Sequence, residues 1–357
     1  MMDSTLARLK TAFSLQKPDR PPILGGWLAA PNHVQALTGC SEQQYYDDPY
    51  HWGIAAERIL GSDGLVDVFK PVSRGEYRIV NHDTVDQRAR YTIEIMLEEI
   101  RKKPDIDQIK ADFDEGKEYA IFAAELKRHQ SDCGNITWCP ANWDIIPIAL
   151  WYGTYGYETA LSCLALYPDQ YRKLIRTSAE TARQKATLLA RAVQDGFHPG
   201  AVLTGEDICS QRGPMVSPAF LRKEYWPLIE YAWEPLKAGG VKIVWHCDGN
   251  VRPLLSEVLA CGADGLQGFQ RECGIDLEWI VDLRTRLGEP LLRFGPMEVV
   301  TLFRNGSTED IRHEVRHSME LCQDKASLVF FTSNTITPDI PLENIRAYWQ
   351  TVRESNW

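Results

Sequence analysis

Three adjacent side chains in the second half of the chain, His246, Cys247 and Asp248, combine an imidazole, a thiol and a carboxylate. They follow an apolar run, residues 241–245, and precede a Gly-Asn turn, which is typical of a buried strand that ends at a loop. Side chains alternate along a strand, so His246 and Asp248 share one side and Cys247 points to the other. We therefore predict that His246 and Asp248 form the reactive pair, and not the thiol. The alternative is a structural trio in which Asp248 caps the following helix.

A second pair of reactive groups, Glu206 and Asp207, follows the apolar run 201–204. Either carboxyl group could act as a general acid or base if its surroundings perturb its pKa. Together with His246, these two residues are the predicted catalytic residues. A helix-capping carboxylate with an inert neighbour is the structural alternative for this pair.

Other polar and aromatic side chains follow the remaining apolar runs. Aromatic side chains at a site suit a planar or apolar ligand, although large aromatics also serve as packing. The predicted substrate-binding residues are Trp27, His33, Lys70, Arg74, Asn142, Trp143, Gln267 and Glu298.

These groups can meet only if the strands that carry them lie in parallel. Eight apolar runs alternate with helical patterns along the chain, which predicts an α/β fold, the (β/α)8 TIM barrel. The site of such a barrel lies on the loops at the carboxyl ends of its strands. The predicted strands are residues 23–27, 65–69, 135–139, 201–204, 241–245, 265–269, 291–295 and 328–332.

One segment departs from the simple alternation of strand and helix. Residues 76–81 and 88–95 show β-type alternation around a polar turn, which predicts a β-hairpin elaboration after strand two, an insert over about residues 72–98. No stretch is rich enough in Pro, Gly and Ser to mark a linker. We therefore predict a single domain over residues 1–357.

Composition limits the class of protein. The net charge of -10 disfavours a nucleic-acid partner, since such binding draws on clustered Lys and Arg. No apolar run reaches the roughly 18 to 20 residues that cross a bilayer, so a soluble protein without a membrane partner is expected. Nine cysteines without a CxxC pair suit a reducing cytoplasm. The N-terminus reads as an amphipathic helix and not as a signal peptide.

The ordered set of motifs resembles the uroporphyrinogen decarboxylase superfamily, which includes cobalamin-dependent methyltransferases. The resemblance spans nearly the whole chain and implies the same barrel that the strand count predicts. The matching segments are KPDRPP at 17–22, GED at 205–207, GPMVSP at 213–218, HCDGN at 246–250, GADG at 262–265 and PDIPLEN at 338–344.

Departures from the family pattern bear on function. The porphyrinogen decarboxylases have an arginine-rich loop after strand one and an aspartate after strand two. Here the corresponding loop, residues 25–31, has no arginine, and Asp67 is a weak match for the aspartate. A tetrapyrrole with many carboxylates would meet too little positive charge in such a site.

The methyltransferase branch binds zinc through His-x-Cys after strand five, a carboxylate after strand six and a Cys after strand eight. At those positions this chain has His246 and Asp248, then Gln270, then Asn334. The resemblance therefore predicts these four residues as metal ligands, without the thiolates of the family. An oxygen-rich set favours a weaker, more exchangeable divalent metal, zinc or another, or none.

The leading hypothesis is a methyltransferase that moves a methyl group between a small methylated or methoxylated substrate and a corrinoid protein or cobalamin. Glu206 or Asp207 would supply the proton that a leaving alkoxide needs. One alternative is decarboxylation of a carboxylic acid or porphyrinogen, in which Lys70, Arg74 and His33 replace the absent arginines. The other is a non-catalytic ligand-binding barrel. The sequence leaves the oligomeric state open.

Overall fold

Eight parallel strands form the centre of the protein, in a computed structural model that describes residues 4–28, 30–68, 91–268, 270–323 and 328–357. The first three strands make one sheet and the last five make another, and in both each strand pairs with its neighbour in sequence. The strands are β1 (Leu24–Gly25), β2 (Gly64–Leu65), β3 (Thr137–Trp138), β4 (Ala201–Gly205), β5 (Lys242–His246), β6 (Gly265–Gln267), β7 (Leu292–Met297) and β8 (Leu328–Thr332).

Backbone contacts join the two sheets at both of their edges. On one side the Phe330 N–H donates to the Pro22 carbonyl at 2.8 Å, and Ile23 bridges to Phe330 in parallel. On the other side the Asn142 N–H donates to the Leu203 carbonyl at 2.9 Å. The eight strands thus complete the ring of the predicted (β/α)8 barrel.

Strand side chains alternate between the barrel interior and the layer of helices. Val244 of β5 belongs to the interior cluster, whereas Trp245 packs in the outer cluster. The same alternation carries His246 to the inside and Cys247 to the outside. The interior cluster includes Leu24, Val66, Ala201, Leu203, Val244, Leu292, Phe294, Val329 and Phe331.

The first helix, Thr5–Phe13, closes the amino-terminal end of the barrel. Its Leu9 and Phe13 join the interior cluster, and the Phe13 ring stacks on Phe294 with centroids 5.8 Å apart. The Ser4 hydroxyl caps this helix by accepting from the Ala7 N–H at 3.1 Å.

Buried Asp63 ties the amino-terminal segment to the barrel. Its carboxylate accepts from Arg8 at 2.6 Å, from Arg20 at 2.8 Å and from the Ile23 N–H at 2.9 Å. Asp63 is 1% exposed, so these donors replace the water that burial removes. The network fixes the position of the chain where it enters β1.

Helices surround the strands. None of the helices in the described part of the chain is both long and apolar enough to cross a membrane. The longer ones after Thr5–Phe13 are Pro31–Thr38, Glu42–Asp47, Pro49–Leu60, Ile93–Lys102, Ile106–Asp112, Glu115–Cys133, Tyr157–Leu166, Pro168–Gln194, Trp226–Ala238, Leu255–Cys261, Thr308–Cys322 and Leu342–Glu354.

The second arm of the predicted hairpin is wrong where the structure describes it. Residues 93–98 belong to the helix Ile93–Lys102, whose first turn is capped by Thr92. Met96 and Ile100, four residues apart, are buried, so the apolar residues pack at helical spacing and not at the two-residue spacing of a strand. The rest of the predicted hairpin, up to residue 90, lies outside the described residues.

Candidate active site

A cavity of about 410 Å³ opens at the carboxyl ends of the strands. This is the end at which a barrel of this kind holds its ligands. The described residues that line the cavity are Trp27, Trp143, Ile146, Ile148, Leu150, Trp151, Tyr152, Gly153, Thr154, Gly205, Glu206, Asp207, His246, Asp248, Asn334 and Thr335.

Two carboxylates and an imidazole converge on one point of this cavity. His246 is the last residue of β5, Asp248 lies two residues later, and Asp207 lies two residues after the end of β4. The His246 Nε2 atom is 3.5 Å from Asp207 Oδ1 and 4.0 Å from Asp248 Oδ1. One potential ligand atom from each residue lies within 4.8 Å of the other two. The three side chains thus have the spacing of a cation site.

Gln267 fixes the protonation pattern of His246. Its amide nitrogen donates to the carbonyls of Thr332 at 2.8 Å and Ser333 at 3.0 Å, which leaves Oε1 facing His246 Nδ1. Because Oε1 can only accept, the neutral imidazole must carry its proton on Nδ1. The lone pair on Nε2 is then directed towards the two aspartates, as in a metal-binding histidine.

Both aspartates are held in place. The Asp248 N–H donates to Asp207 Oδ1 at 2.9 Å, and the Asn334 amide donates to Asp248 Oδ2 at 2.7 Å. The Tyr152 hydroxyl lies 3.4 Å from Asp207 Oδ2. Asn334, predicted as a metal ligand, lines the cavity and donates to Asp248.

Glu206 lies in the cavity wall and is engaged on both oxygens. Oε1 accepts from the Leu150 N–H at 2.6 Å, and Oε2 accepts from the Ala149 N–H at 2.7 Å and the Tyr225 hydroxyl at 3.0 Å. Burial raises the pKa of Glu206 to about 7, against the effect of these donors, which favour the carboxylate. Glu206 thereby holds the loop that follows β3, whose apolar side chains form one wall of the cavity.

Two tryptophans flank the imidazole. Trp27 and Trp143 both meet the His246 ring edge-on, with centroids 6.0 Å and 5.6 Å away. Trp27 is 6% exposed, whereas Trp143 is 40% exposed and lies towards the mouth. Both predicted aromatic residues thus line the cavity.

Cys247 lies behind the site, as the strand alternation predicts. It is 2% exposed, and its side chain packs in the outer cluster. Burial raises the pKa of its thiol well above the usual value, which disfavours a thiolate.

Three predicted substrate-binding residues have structural contacts away from the cavity, which corrects their assignment. Glu298 is 1% exposed, and its carboxylate accepts from the Thr301 N–H and the Leu302 N–H, both at 2.9 Å, as a helix cap. His33 is 3% exposed, its Nε2 atom donates to the Ile340 carbonyl at 2.8 Å, and burial lowers its pKa. The side chain of Asn142 donates to the Pro140 carbonyl at 3.1 Å.

Two predicted site residues contact the backbone or side chain of other site residues. Gln267, predicted to bind substrate, is 3% exposed, and its Oε1 accepts from His246. Gln270, predicted as a metal ligand, accepts from the Gly249 N–H at 2.6 Å and supports the turn after β5.

Asp207, predicted only as an acid or base, is the third potential metal ligand beside His246 and Asp248. Lys70 and Arg74 lie outside the described residues.

Sequence reasoning missed Trp151, Tyr152 and Tyr225. The first two line the cavity from the segment that follows β3, and Tyr225 contacts Glu206 from the π-helical turn Leu221–Tyr225. The aromatic run Trp151-Tyr152 was a signal for the first two. Tyr225 offered none, because its contact depends on how a distant helix packs.

A larger cavity, of about 700 Å³, lies at the opposite end of the barrel, among residues that precede β3 and β4. Its described lining contains Lys127 and His198 but no carboxylate and no cysteine. The reactive groups named above all lie at the other end, so the smaller cavity is the candidate active site.

Comparisons with known proteins identify the family and the fold of the chain. Residues 97–355 match the family model described as uroporphyrinogen decarboxylase (URO-D). No curated protein matches the chain. Among solved structures, a methyltransferase from Methanosarcina mazei is 15% identical in sequence, with 98% of each chain covered and a TM-score of 0.63. At this identity the structural likeness shows a shared fold.

Proposed function

Since the chain belongs to the uroporphyrinogen decarboxylase family, we propose that it is an enzyme that moves a methyl group between a small methylated or methoxylated substrate and a corrinoid protein or cobalamin. The observation that carries the proposal is the convergence of Asp207, His246 and Asp248 in a small cavity lined by aromatic side chains. One solved structure of similar fold is a methyltransferase, which supports the same reaction class.

The charge of the described cavity lining disfavours the porphyrinogen decarboxylase reaction. Its described lining has the three carboxylates of Glu206, Asp207 and Asp248 and neither Lys nor Arg. A porphyrinogen carries several carboxylates, which these groups would repel at short range. A volume of about 410 Å³ also suits a ligand smaller than a tetrapyrrole.

A divalent metal ion fits the residues of the site. Asp207, His246 and Asp248 would hold it through one oxygen, the Nε2 lone pair and one oxygen. Such an ion would supply Lewis-acid polarisation of a substrate atom. Gln267 would keep the imidazole in the tautomer that the ion requires, and Asn334 would orient Asp248.

The proton chemistry that the hypothesis needs rests on Asp207 more than on Glu206. Asp207 Oδ2 faces the Tyr152 hydroxyl, and Oδ1 faces His246 Nε2 at 3.5 Å, so protons can move among groups that line the cavity. Glu206 accepts three hydrogen bonds from the cavity wall, which hold its carboxyl group against the wall and away from a ligand. A carboxylate that ligates an ion carries no proton, so Asp207 is the proposed acid for an alkoxide leaving group only while the site holds no ion.

The decisive assay mixes the purified protein with Co(I) cobalamin and a panel of methyl ethers and methylated amines, and follows the cobalamin absorbance. At least one donor should give methylcobalamin, and Asp207→Asn should slow that reaction by about 100-fold or more. Carbon dioxide release from a carboxylic acid, without methyl transfer, would establish the decarboxylase alternative. A folded protein inactive in both assays would be the non-catalytic barrel.

Metal content tests the cation site separately. Protein purified without chelators should contain a divalent metal, and His246→Ala should lose it. Cys247→Ala is the matched control, because the neighbouring thiol faces the outer layer and should not affect the metal. Loss of metal in the cysteine variant, or none in the unmodified protein, would contradict the site.

A further inference from the structure

The described lining of the candidate cavity carries charge of one sign. Three carboxylates and one imidazole lie among its described lining residues, and no cationic side chain does. In a recessed site, where water screens charges less than at an open surface, this arrangement repels anions and attracts cations. A divalent ion on Asp207 and Asp248 would cancel at most two of the negative charges, so no positive excess would appear.

Aromatic side chains line the same cavity from its interior to its mouth. Trp27 lies deep, Trp143 lies towards the mouth, and Trp151 and Tyr152 line the side formed by the segment after β3. The faces of indole and phenol rings attract cations, most strongly when the cation is a weakly hydrated alkylammonium.

Aromatic faces combined with carboxylates form the usual recognition surface for methylated ammonium groups. Building on the proposed methyl transfer, we propose that the methyl donor is a small methylated ammonium compound, in which the cationic nitrogen lies against Trp27 and Trp143 in the negative field of the cavity. This assignment narrows the substrate from methylated or methoxylated compounds in general to one class.

The chemistry of this donor agrees with the contacts of Glu206. When a quaternary ammonium loses a methyl group, the carbon–nitrogen bond breaks and its electron pair stays on nitrogen. The nitrogen leaves as a neutral tertiary amine, and the electron pair of a Co(I) corrinoid, the co-substrate, forms the new bond to carbon. No proton is needed, whereas an alkoxide leaving group would require one. A cavity in which Asp207 ligates an ion and Glu206 accepts three hydrogen bonds suits a reaction without an acid.

Binding measurements test the substrate class without requiring turnover. We expect choline to bind at least tenfold more tightly than 3,3-dimethylbutan-1-ol, its uncharged carbon analogue, by isothermal titration calorimetry. Trp143→Leu should weaken choline binding by about 2- to 30-fold, the range of one cation–π contact. Asp207→Asn should weaken choline more than the alcohol, because only choline carries a charge. Tyr167→Leu removes an exposed aromatic outside the cavity lining and should change neither.

Several results would overturn the inference. The alcohol could bind as tightly as choline, or methoxybenzene could bind while choline does not. A loss of choline binding in both Trp143→Leu and Tyr167→Leu would place the cation elsewhere. These outcomes would contradict the substrate class but not the proposed methyl transfer, provided that a methyl ether methylates Co(I) cobalamin. The proposed function fails only if no donor of either class does so.

Discussion

At the scale of single residues, the contact between Gln267 and His246 has the clearest chemical consequence. Two backbone carbonyls take both amide protons of Gln267, so its oxygen accepts from His246 Nδ1 and leaves Nε2 unprotonated towards the cavity. A side chain that touches no ligand thereby decides what the imidazole can bind.

Gln267→Met should therefore weaken divalent-metal binding by about 10- to 100-fold, the usual effect of removing such a supporting contact. The imidazole would lose its fixed orientation while its own ligand atom remains. Titration with Mn²⁺, followed by electron paramagnetic resonance, measures the affinity. Gln350→Met, at an exposed position of the last helix, should bind the ion as the unmodified protein does. Equal affinity in both variants would show that Gln267 does not control the site.

Glu206 is a second residue whose contacts suggest a positioning role. Glu206→Gln replaces one acceptor oxygen with an amide nitrogen, which would face a backbone N–H or the Tyr225 hydroxyl. A buried donor without an acceptor costs about 1–3 kcal/mol, so the free energy of unfolding in urea should fall by that amount. Glu158→Gln, at an exposed position, serves as the control. Unchanged stability in Glu206→Gln would show that its contacts do not hold the loop after β3.

At the scale of secondary-structure elements, the close approach of β4 and β5 brings Asp207 to His246. Gly205 pairs with His246, and a Cβ atom added to Gly205 would lie 1.9 Å from the His246 carbonyl oxygen. Only glycine permits this spacing between the two strand ends.

Gly205→Ala should accordingly separate the strand ends and weaken both folding and metal binding. A contact this short cannot be relieved by a side-chain rotation, so we expect a loss of several kcal/mol in the free energy of unfolding. Gly153→Ala is a sharp control, because Gly153 also lines the cavity but an added Cβ has no neighbour within 4 Å. Urea unfolding of the two variants measures the difference, and similar stabilities would contradict the argument.

The strands were predictable from sequence because each places apolar residues both inside the barrel and against the helices. The apolar runs did not reveal how long the hydrogen-bonded ladders are: β1, β2 and β3 have two residues each, although five were predicted for each. Likewise, Gln267 and Glu298 were recognised as polar residues near strand ends. Their roles depend on partners that only the fold identifies, such as the Thr332 carbonyl, 65 positions from Gln267.

At the scale of the whole molecule, the two ends of the barrel differ in chemistry. The carboxyl end collects the carboxylates, the imidazole and the tryptophans of the candidate active site. The amino end is closed by the first helix and contains His198, which is 2% exposed and comes just before β4. A buried imidazole at that end affects stability and not the proposed chemistry, so the two ends can be tested separately.

The stability of the protein should fall in acid through His198. Burial lowers the pKa of His198 to about 4, below the value of about 6.5 for an exposed histidine. Between these two pH values the unfolded chain binds the proton that the folded protein excludes, so unfolding becomes easier as the pH falls from 6.5 to 4. The loss in the free energy of unfolding should approach about 3 kcal/mol near pH 4.

His198→Gln should remove this part of the pH dependence in urea unfolding, whereas His51→Gln, at an exposed position, should retain it. Parallel pH profiles for the unmodified protein and His198→Gln would show that another group controls the acid transition.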